Sequence, residues 1–273
     1  MTDRGQQIAN CTEVIKARAG VTPEYGLVLG SGLGPLADQV TDAVVIDYAD
    51  LPGFPEPGVA GHAGRLIIGN LGGMPVAVMQ GRAHYYEHGD ASVMAVAVRT
   101  LKAIGCHTLI LTNAAGSLDA ELGPGSAMIL RDHINLTGVS PLFNETGNDR
   151  FVNLGDAYDA DLRADLRLAA SAAGVDIGEG VYCWYCGPHF ETPAEIQMAK
   201  VIGGTAVGMS TAPEVILARH AGMKVAAMSN MTNMAAGLSD EVLSHEHTQT
   251  MAAQGAKKIS AVLQAFFAAR APR

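Results

Sequence analysis

Residues 25–34, YGLVLGSGLG, place three alternating glycines directly after a short apolar run. Leu27, Val28 and Leu29 predict a buried strand, and the glycines that follow predict a tight turn where side chains would clash. Successive backbone N–H groups in such a turn can point at one spot and bind an anion. Ser31 adds a hydroxyl group at the same place. Taken alone, the stretch is equally compatible with a purely structural turn.

The spacing of these glycines does not match a dinucleotide-binding loop. The pattern G-x-G-x-x-G would require glycine at the position that Pro35 occupies. The phosphate-binding pattern G-x-x-x-x-G-K-[ST] is also absent from the sequence. We therefore expect a small free anion, rather than a dinucleotide, at this turn.

The composition is typical of a compact enzyme with a sizeable core. The chain has 273 residues, 48% of them hydrophobic, and its net charge of -9 opposes binding to nucleic-acid phosphates. It contains no apolar run of the ~18 residues that a transmembrane helix needs. The N-terminal stretch MTDRGQQIAN lacks the apolar region of a secretory signal. We therefore expect a cytoplasmic protein that binds neither nucleic acid nor membrane.

The order of predicted elements indicates the α/β class. Apolar, strand-like runs alternate with helical segments nearly throughout the chain. Residues 65–69 and 75–79 are an exception, because the turn NLGG at 70–73 predicts a β-hairpin between them. The sequence therefore predicts a mixed central sheet flanked by helices, in a single domain that spans residues 1–273.

Polar residues are predicted at the ends of several strands. Runs at 108–112 and 224–229 predict strands that end shortly before Asn113 and Asn233. Ligands in open α/β sheets bind at the carboxyl ends of strands. We therefore expect these side chains to share one crevice with the glycine turn.

Arg82 and His84 follow the second strand of the predicted hairpin. Alternate side chains of an extended segment point the same way, so the guanidinium and the imidazole would share a face. Arginine and histidine are also common at solvated hairpin ends, which remains an alternative for the pair alone. Beside the glycine turn, the pair favours a phosphate site.

Cys183 and Cys186, followed by His189, form a pattern that could indicate a metal or redox site. A redox pair would open a helix, whereas these cysteines lie in or at the end of a predicted strand. A zinc site would need four ligands, and only His189 is close in sequence. We interpret the cysteines as ordinary thiols and expect no metal.

Seven motifs, in order along residues 25–250, resemble those of the trimeric purine nucleoside phosphorylases. They are GSGLG (30–34), GHAG (61–64), GRAHYYE (81–87), TNAAG (112–116), GPHFETPAEI (187–196), VGMSTAPEV (207–215) and MTNMAAGLS (231–239). The segment TNMAAGLSD at 232–240, together with Tyr185, is most similar to the bacterial branch that includes xanthosine phosphorylase. The resemblance implies the nucleoside phosphorylase fold.

The resemblance also implies phosphorolysis, in which a purine nucleoside and phosphate give the free base and ribose 1-phosphate. The matching phosphate ligands are Ser31, His62, Arg82, His84, Ser210 and the backbone of Ala114. The matching base contacts are Phe190, Glu191, Asn233 and Tyr185, and the matching ribose contacts are Tyr86, Met209, His245 and, from a neighbouring subunit, Phe151. The catalytic roles fall to His84, Glu191 and Asn233.

The chemistry of this reaction explains the residue types. The glycosidic bond breaks with positive charge on the ribose and negative charge on the purine, so the main demand is stabilisation of the leaving purine. An amide at Asn233 and a carboxylate at Glu191 suit 6-oxopurine nucleosides, with xanthosine a further candidate because of Tyr185. Inorganic phosphate is a co-substrate, and no cofactor is expected. The expected partners are nucleoside, phosphate and further copies of the chain in a homotrimer.

Three alternatives remain open from the sequence alone. A methylthioadenosine or methylthioinosine phosphorylase would have the same fold, although a methylthioadenosine phosphorylase is expected to have an acid in place of Asn233 and a smaller apolar residue in place of His245. A non-catalytic nucleoside-binding protein is disfavoured by the joint presence of Arg82, His84 and Asn233. A dinucleotide-dependent oxidoreductase is disfavoured by Pro35.

Overall fold

The computed structural model describes residues 4–56, 58, 62–239 and 245–272, with the backbone alone for residues 245–250. The helices in this part of the chain are α1 (Arg4–Arg18), α2 (Tyr85–His88), α3 (Ala95–Ile104), α4 (Ala160–Ala172), α5 (Pro193–Val201), α6 (Ala212–His220) and α7 (His245–Ala268). The strands are β1 (Tyr25–Leu29), β2 (Thr41–Asp47), β3 (Arg65–Leu71), β4 (Met74–Gln80), β5 (Thr108–Ser117), β6 (Ala127–Asn135), β7 (Gly178–Trp184), β8 (Ala206–Gly208) and β9 (Lys224–Met234). Among the described residues, no helix combines the length and apolar character needed to cross a membrane.

The strands form one mixed sheet in the order β2-β3-β4-β1-β5-β8-β7-β6-β9. A further pairing joins β9 to β5, so that β5, β8, β7, β6 and β9 make a closed circuit. Pairing is antiparallel at β2–β3, β3–β4, β5–β8 and β6–β9, and parallel elsewhere. The predicted class, a mixed sheet flanked by helices, is confirmed. Its extent as a single domain over residues 1–273 stays a prediction.

The predicted hairpin supplies part of this antiparallel pairing. β3 and β4 pair along their whole length, from Arg65 opposite Gln80 to Leu71 opposite Met74. The turn residues Gly72 and Gly73 have φ angles of 58° and 84°. Two consecutive positive φ angles are what a two-residue hairpin turn of type I′ requires, and glycine supplies them without strain.

Helices bury the sheet on both faces, as β1 illustrates. Val28 belongs to an apolar cluster with α1, α3 and α6, whereas Leu27 and Leu29 belong to a second cluster with α4 and α7. Successive residues of a strand face opposite sides, so a strand that is covered on both faces needs an unbroken apolar run. The run at 27–29 therefore explains why β1 lies inside the sheet.

Two strands extend further than the apolar pattern predicts. β5 continues to Ser117 and β9 to Met234, and the two stay paired in parallel over the extension. Asn113 and Asn233 therefore lie inside strands rather than just after them. Because polar side chains in this extension are buried at a cleft, the apolar pattern stops although the hydrogen-bonded ladder does not.

The register of β1 sets the position of this cleft. β1 lies between β4 and β5 and runs parallel to both, with Leu29 opposite Gln80. The glycine turn after β1 and the Arg82 segment after β4 therefore leave the sheet side by side, next to Asn113 of β5. This is the edge of a parallel sheet at which ligands bind.

Two glycines of the turn after β1 are required, for different reasons. Gly32 has a φ of 83°, a conformation that side chains other than glycine rarely adopt. Gly30 packs directly on β5, where an added Cβ would lie 2.7 Å from the carbonyl oxygen of Thr112 and 2.8 Å from the Cα of Asn113. Gly34 has neither constraint, because an added Cβ would lie 3.6 Å from its nearest neighbour. The predicted need for glycine therefore holds at two positions of the three.

We expect Gly30→Ala to destabilise the protein and Gly34→Ala to leave its stability unchanged. The methyl group at position 30 would meet backbone atoms, whereas the one at position 34 would make an ordinary contact. Overpacking of this kind costs about 1–3 kcal/mol, which lowers the Tm by several degrees. Thermal melts of both variants test the expectation, and equal Tm values would contradict the close approach of the turn to β5.

Candidate active site

A cleft opens where the glycine turn, the Arg82 segment, β5 and β9 meet. It is concave and combines apolar with polar lining residues, as small-molecule sites do. The predicted site residues that line it are Ser31, His62, Arg82, His84, Tyr86, Ala114, Phe190, Glu191, Met209, Ser210 and Asn233. The fold thus brings together side chains from most of the length of the chain.

One end of the cleft presents hydroxyl groups on a fixed backbone. Ser31 lies in the glycine turn, whose first residue, Gly30, donates its N–H to Thr112 Oγ1 at 3.0 Å. Ser210 precedes α6, and its N–H donates to the hydroxyl of Tyr182 at 3.1 Å. Both serines line the cleft. Their hydroxyl groups and the turn are therefore available to an anion.

The guanidinium of Arg82 lines the same end of the cleft and is held by hydrogen bonds to β1, β5 and α6. Its Nη1 donates to Glu214 Oε1 at 2.8 Å, and its Nη2 donates to the carbonyl oxygens of Val28, at 3.3 Å, and of Thr112. A longer contact of 3.4 Å joins Nη1 to Thr211 Oγ1. The sequence predicts an arginine free to bind phosphate, but the structure shows several of its donors already occupied.

His84 is the N-cap residue of α2 and is held in place by Glu87. Oε1 of Glu87 accepts the backbone N–H of His84 at 2.7 Å and lies 2.8 Å from Nδ1 of the ring. The imidazole is stacked between the rings of His62 and Tyr86, with centroid distances of 5.5 and 4.9 Å. Because the carboxylate occupies Nδ1, the other ring nitrogen, Nε2, is left for a ligand.

Burial and hydrogen bonding set the charges at this end. Desolvation alone would raise the pKa of Glu87, but hydrogen bonds from the His84 ring, from the Gly58 N–H and from the His84 N–H lower that pKa to about 2. Burial lowers the pKa of His62 to about 4, against the hydrogen bond from its ring to the carbonyl of Arg82. At neutral pH, Glu87 is therefore charged and His62 is neutral.

Thr211, which leads into α6, has a strained backbone. Its φ of 71° and ψ of -54° define a γ-turn, closed by a 2.8 Å hydrogen bond from the N–H of Ala212 to the carbonyl of Ser210. Positive φ is unusual for a β-branched residue. The Thr211 hydroxyl accepts from Asn113 Nδ2 at 2.9 Å, which helps to hold this conformation. Strain of this kind is found mostly at binding sites, where surrounding contacts maintain it.

The opposite end of the cleft carries a buried carboxylate with an unused oxygen. Glu191 is 7% exposed, and its Oε1 has no hydrogen-bond partner among the described residues. Burial raises the pKa of this carboxyl above its ordinary value. A buried polar atom without a partner is costly, so its position in a cleft marks a place for a ligand's donor. Phe190 precedes it and offers a half-exposed ring to the same cleft.

Asn233 reaches this end through an irregularity of β9. Thr232 is an extra residue between the pairs Ala115–Met231 and Gly116–Asn233, and such bulges re-aim side chains. Asn233 Oδ1 accepts from the Thr232 hydroxyl at 2.9 Å, and Nδ2 donates to the next backbone carbonyl at 2.9 Å. An amide nitrogen has two hydrogens, so one N–H of Asn233 is left for a ligand.

Two predicted site residues, Tyr185 and Phe151, do not line the cleft of their own chain. Tyr185 donates its hydroxyl to the carbonyl of Glu195 at 3.0 Å, so its polar end is bound to α5 instead of facing the base end. Phe151 is 75% exposed, and its ring lies 5.1 Å from the guanidinium of Arg150. His245 begins α7, but its side chain lies outside the described residues.

The cysteine pattern has no metal-like geometry in the part of the chain that is described. Cys183 is buried in β7, Cys186 is half-buried, and all four cysteines are free thiols. Burial raises the pKa of the Cys183 thiol to about 11, so that it is protonated at neutral pH. No group of three or more histidine, cysteine or acidic side chains is arranged there to hold a metal ion. The expectation that no metal is needed stays a prediction.

Two polar residues of the site receive no role from the sequence. Asn113 is expected from the sequence only to share the crevice, which it lines; the structure shows that it joins Thr211 to Ser229, whose hydroxyl donates to Asn113 Oδ1 at 2.7 Å. Thr232, which receives no prediction, fixes the amide of Asn233. Both residues lie in the quoted motifs, next to a residue with an assigned role or within the same motif. A polar residue that interrupts an apolar strand could have indicated that each belongs to the site.

Comparison with known proteins relates this cleft to a family. The model of the Phosphorylase superfamily matches residues 24–268. The chain is 47% identical over 242 residues to purine nucleoside phosphorylase 1 of Geobacillus stearothermophilus, covering 88% of each chain. It is 44% identical over 249 residues to purine nucleoside phosphorylase 1 of Bacillus subtilis, covering 90% of this chain and 91% of that protein.

Solved structures extend the similarity to the fold. A Schistosoma purine nucleoside phosphorylase in complex with hypoxanthine matches with a TM-score of 0.91 at 37% identity, over 98% of both chains. A purine nucleoside phosphorylase in complex with ribose-1-phosphate matches with a TM-score of 0.83 at 37% identity, over 97% of this chain and 98% of that one. The chain therefore belongs to the purine nucleoside phosphorylases of the phosphorylase superfamily.

Proposed function

We propose that the protein catalyses the phosphorolysis of 6-oxopurine nucleosides, namely inosine and guanosine, to the free base and ribose 1-phosphate. Tyr185, the residue on which the expectation of xanthosine rests, is bonded to α5 and gives that substrate no support. The observation that carries this proposal is the unpaired, buried carboxylate oxygen of Glu191 in the cleft. A 6-oxopurine has a proton on N1 and would supply the missing donor. The related structures in complex with hypoxanthine and with ribose-1-phosphate support the two parts of the substrate.

At the base end, Asn233 and Glu191 stabilise the leaving purine. When the bond from C1′ to N9 breaks, its electron pair passes to the purine ring. The Thr232 hydroxyl holds Asn233 Oδ1, so that the free N–H of the amide is directed at N7 before the charge develops. Donors that are oriented in advance stabilise a transition state without reorganisation.

At the other end, phosphate is the nucleophile. An oxygen of phosphate forms the new bond to C1′ while the bond to N9 breaks, and the phosphate charge stabilises the cationic ribose. We assign its binding to Ser31, Ser210, the Nε2 of His84 and the positive charge of Arg82, all of which line the cleft. Ala114 and Gly116 stand two residues apart on β5, roughly 7 Å, which suits a ribose between phosphate and base.

Asn233 disfavours a methylthioadenosine phosphorylase of the same fold. Oδ1 of Asn233, the acceptor that a 6-amino group would need, already accepts from Thr232, and the free N–H of the amide is a donor. Methylthioinosine has a 6-oxo group, so Asn233 does not distinguish it from inosine. A non-catalytic nucleoside-binding protein is disfavoured because Arg82 and His84 are both present at the anion end of the cleft.

We infer that the active form is a homotrimer, in which Phe151 of one subunit completes the ribose pocket of the next. An aromatic ring exposed at 75%, outside the cleft of its own chain, is suited to contact with a partner. The proposed partners are thus nucleoside, phosphate and further copies of this chain. The reaction needs no cofactor, and we retain the cytoplasm as its expected location.

Removal of the His84 ring is expected to weaken phosphate binding selectively. A charge-assisted hydrogen bond contributes about 1.5–3 kcal/mol, so His84→Ala should raise the KM for phosphate by about 10- to 100-fold. The KM for inosine should change little. Steady-state assays at a saturating concentration of the other substrate measure both. His88→Ala, at the exposed end of α2, is the control. An unchanged KM for phosphate would exclude His84 from the phosphate site.

The purine selectivity follows from Glu191 and Asn233. Adenosine has no N1 proton and would leave Glu191 facing a lone pair in a buried site. The kcat/KM for inosine or guanosine should therefore exceed that for adenosine at least ~100-fold, equivalent to ~2.7 kcal/mol of differential transition-state binding. The measurement is kcat/KM for inosine, guanosine, xanthosine and adenosine under saturating phosphate.

The same assay on Asn233→Asp separates the two groups. A carboxyl at position 233 can accept from a 6-amino group, so the preference for inosine over adenosine should narrow. If the wild-type protein cleaves adenosine as well as inosine, the roles given to Glu191 and Asn233 are wrong.

The assembly is tested with Phe151→Ala. Loss of the contact between a buried ring and the ribose is expected to raise the KM for inosine about tenfold, since burial of a large apolar side chain contributes roughly 1.5–3 kcal/mol. Phe143→Ala removes the other phenylalanine of this loop, 66% exposed, and is the matched control. Sedimentation velocity at assay concentration reports the assembly, and a fully active monomer would refute the proposal.

A further inference from the structure

The arginine at the anion end of the cleft has a buried counter-ion that is not part of the cleft lining. Nη1 of Arg82 and Oε1 of Glu214 are 2.8 Å apart, and the two side chains are 1% and 3% exposed. Glu214 lies in the first turn of α6, behind Ser210 and Thr211. Arginine stays protonated at any working pH, so the pair is a permanent, desolvated ion pair.

The other titratable groups at this end do not restore a positive charge. His62 is neutral at neutral pH, and Glu87, which bonds to His84, is a carboxylate. Arg82 with Glu214 therefore adds no net charge, and His84 with Glu87 adds none even when the imidazole is protonated. Among the described residues, the side chains around the anion position carry no net positive charge.

This charge balance has a consequence for turnover. Phosphate enters as an anion and leaves as ribose 1-phosphate, which carries the same dianionic group at the same place. An unmasked arginine in a desolvated site would hold substrate and product alike, because charges interact strongly where water is excluded. An arginine whose charge is partly neutralised by a carboxylate attracts the anion less strongly and so allows the product to leave.

We propose that Glu214 is a positioning residue that partly neutralises Arg82 and thereby limits the affinity of the cleft for phosphate and for ribose 1-phosphate. The inference rests on the proposed phosphorolysis. It assigns to Glu214 an effect opposite to that of a purely structural residue, because removing its charge strengthens anion binding.

The remaining contacts make this effect separable from misplacement of Arg82. The guanidinium also donates to the carbonyls of Val28 and Thr112, on two different strands. In Glu214→Gln the side chain keeps its length and an acceptor oxygen for Nη1, whereas the negative charge is lost and an NH2 group replaces the second oxygen. The guanidinium is therefore expected to stay where it is.

The test is Glu214→Gln, with inorganic phosphate as the probe. Calorimetric titration should show phosphate binding about tenfold tighter than in the wild-type protein, the order expected for removal of one nearby like charge. The KM values for phosphate and, in the reverse reaction, for ribose 1-phosphate should fall, while the KM for inosine stays the same. Glu179→Gln is the control. Like Glu214, Glu179 forms an ion pair with arginine, in its case with Arg163 and Arg167, but it lies outside the cleft.

A phosphate KM that rises or stays constant in Glu214→Gln, or an inosine KM that shifts in parallel with it, would overturn the proposal. Glu214→Asp is the second variant, for use if the glutamine protein does not fold. The shorter side chain moves the negative charge away from Arg82 by the length of one methylene group. Phosphate should therefore bind more tightly than in the wild-type protein, by a smaller factor than in Glu214→Gln. Weaker binding would overturn the proposal. A wild-type protein without phosphate-dependent cleavage of inosine would instead refute the proposed function.

Discussion

The guanidinium of Arg82 is the contact on which the rest of the site depends. It donates to the carbonyl of Val28 in β1, to that of Thr112 in β5 and to Glu214 in α6. The charges of Arg82 and Glu214 are both buried. Leaving either charge without its partner would be strongly destabilising, because a desolvated charge must be compensated. The parallel strands and the start of α6 are therefore held in a single arrangement, and the anion end of the cleft is the space that this arrangement leaves.

A chain of hydrogen bonds connects Arg82 through Thr211 to Ser210. The hydroxyl oxygen of Thr211 accepts one hydrogen bond from Asn113 and a longer one from Arg82. These two contacts fill both acceptor positions of the hydroxyl oxygen. Its own hydrogen is then directed at Ser210 Oγ, 3.2 Å away. Ser210 acts as the acceptor in that contact, so its hydrogen is free for an anion in the cleft. The strained turn at Thr211 is thus maintained by the bonds that orient Ser210.

The sequence predicts the fold where spacing acts locally, as in β1 and the hairpin at 65–79. It does not predict the extension of β5 and β9, because polar residues such as Asn233 interrupt the apolar pattern at the cleft. The bulge at Thr232 has no local signature. The pairing of Arg82 with Glu214 joins positions 132 residues apart, and no pattern along the chain encodes it. The predicted site residues came mainly from the resemblance to a family, and contacts between distant elements required the structure.

The pKa values of Glu87, which bonds to His84, and of Glu191, which lines the cleft, are shifted in opposite directions. Hydrogen bonds lower the pKa of Glu87 to about 2, so its stabilising effect is complete above the ordinary glutamate pKa and is lost as the pH falls towards 2. Burial raises the pKa of Glu191, and its charged form opposes folding in the empty protein. A purine that donates a hydrogen bond from N1–H to Glu191 reduces this penalty, and a purine without that donor leaves it in place. In the proposed reaction, selectivity between purines therefore arises from Glu191, the carboxylate that the folded chain does not satisfy by itself.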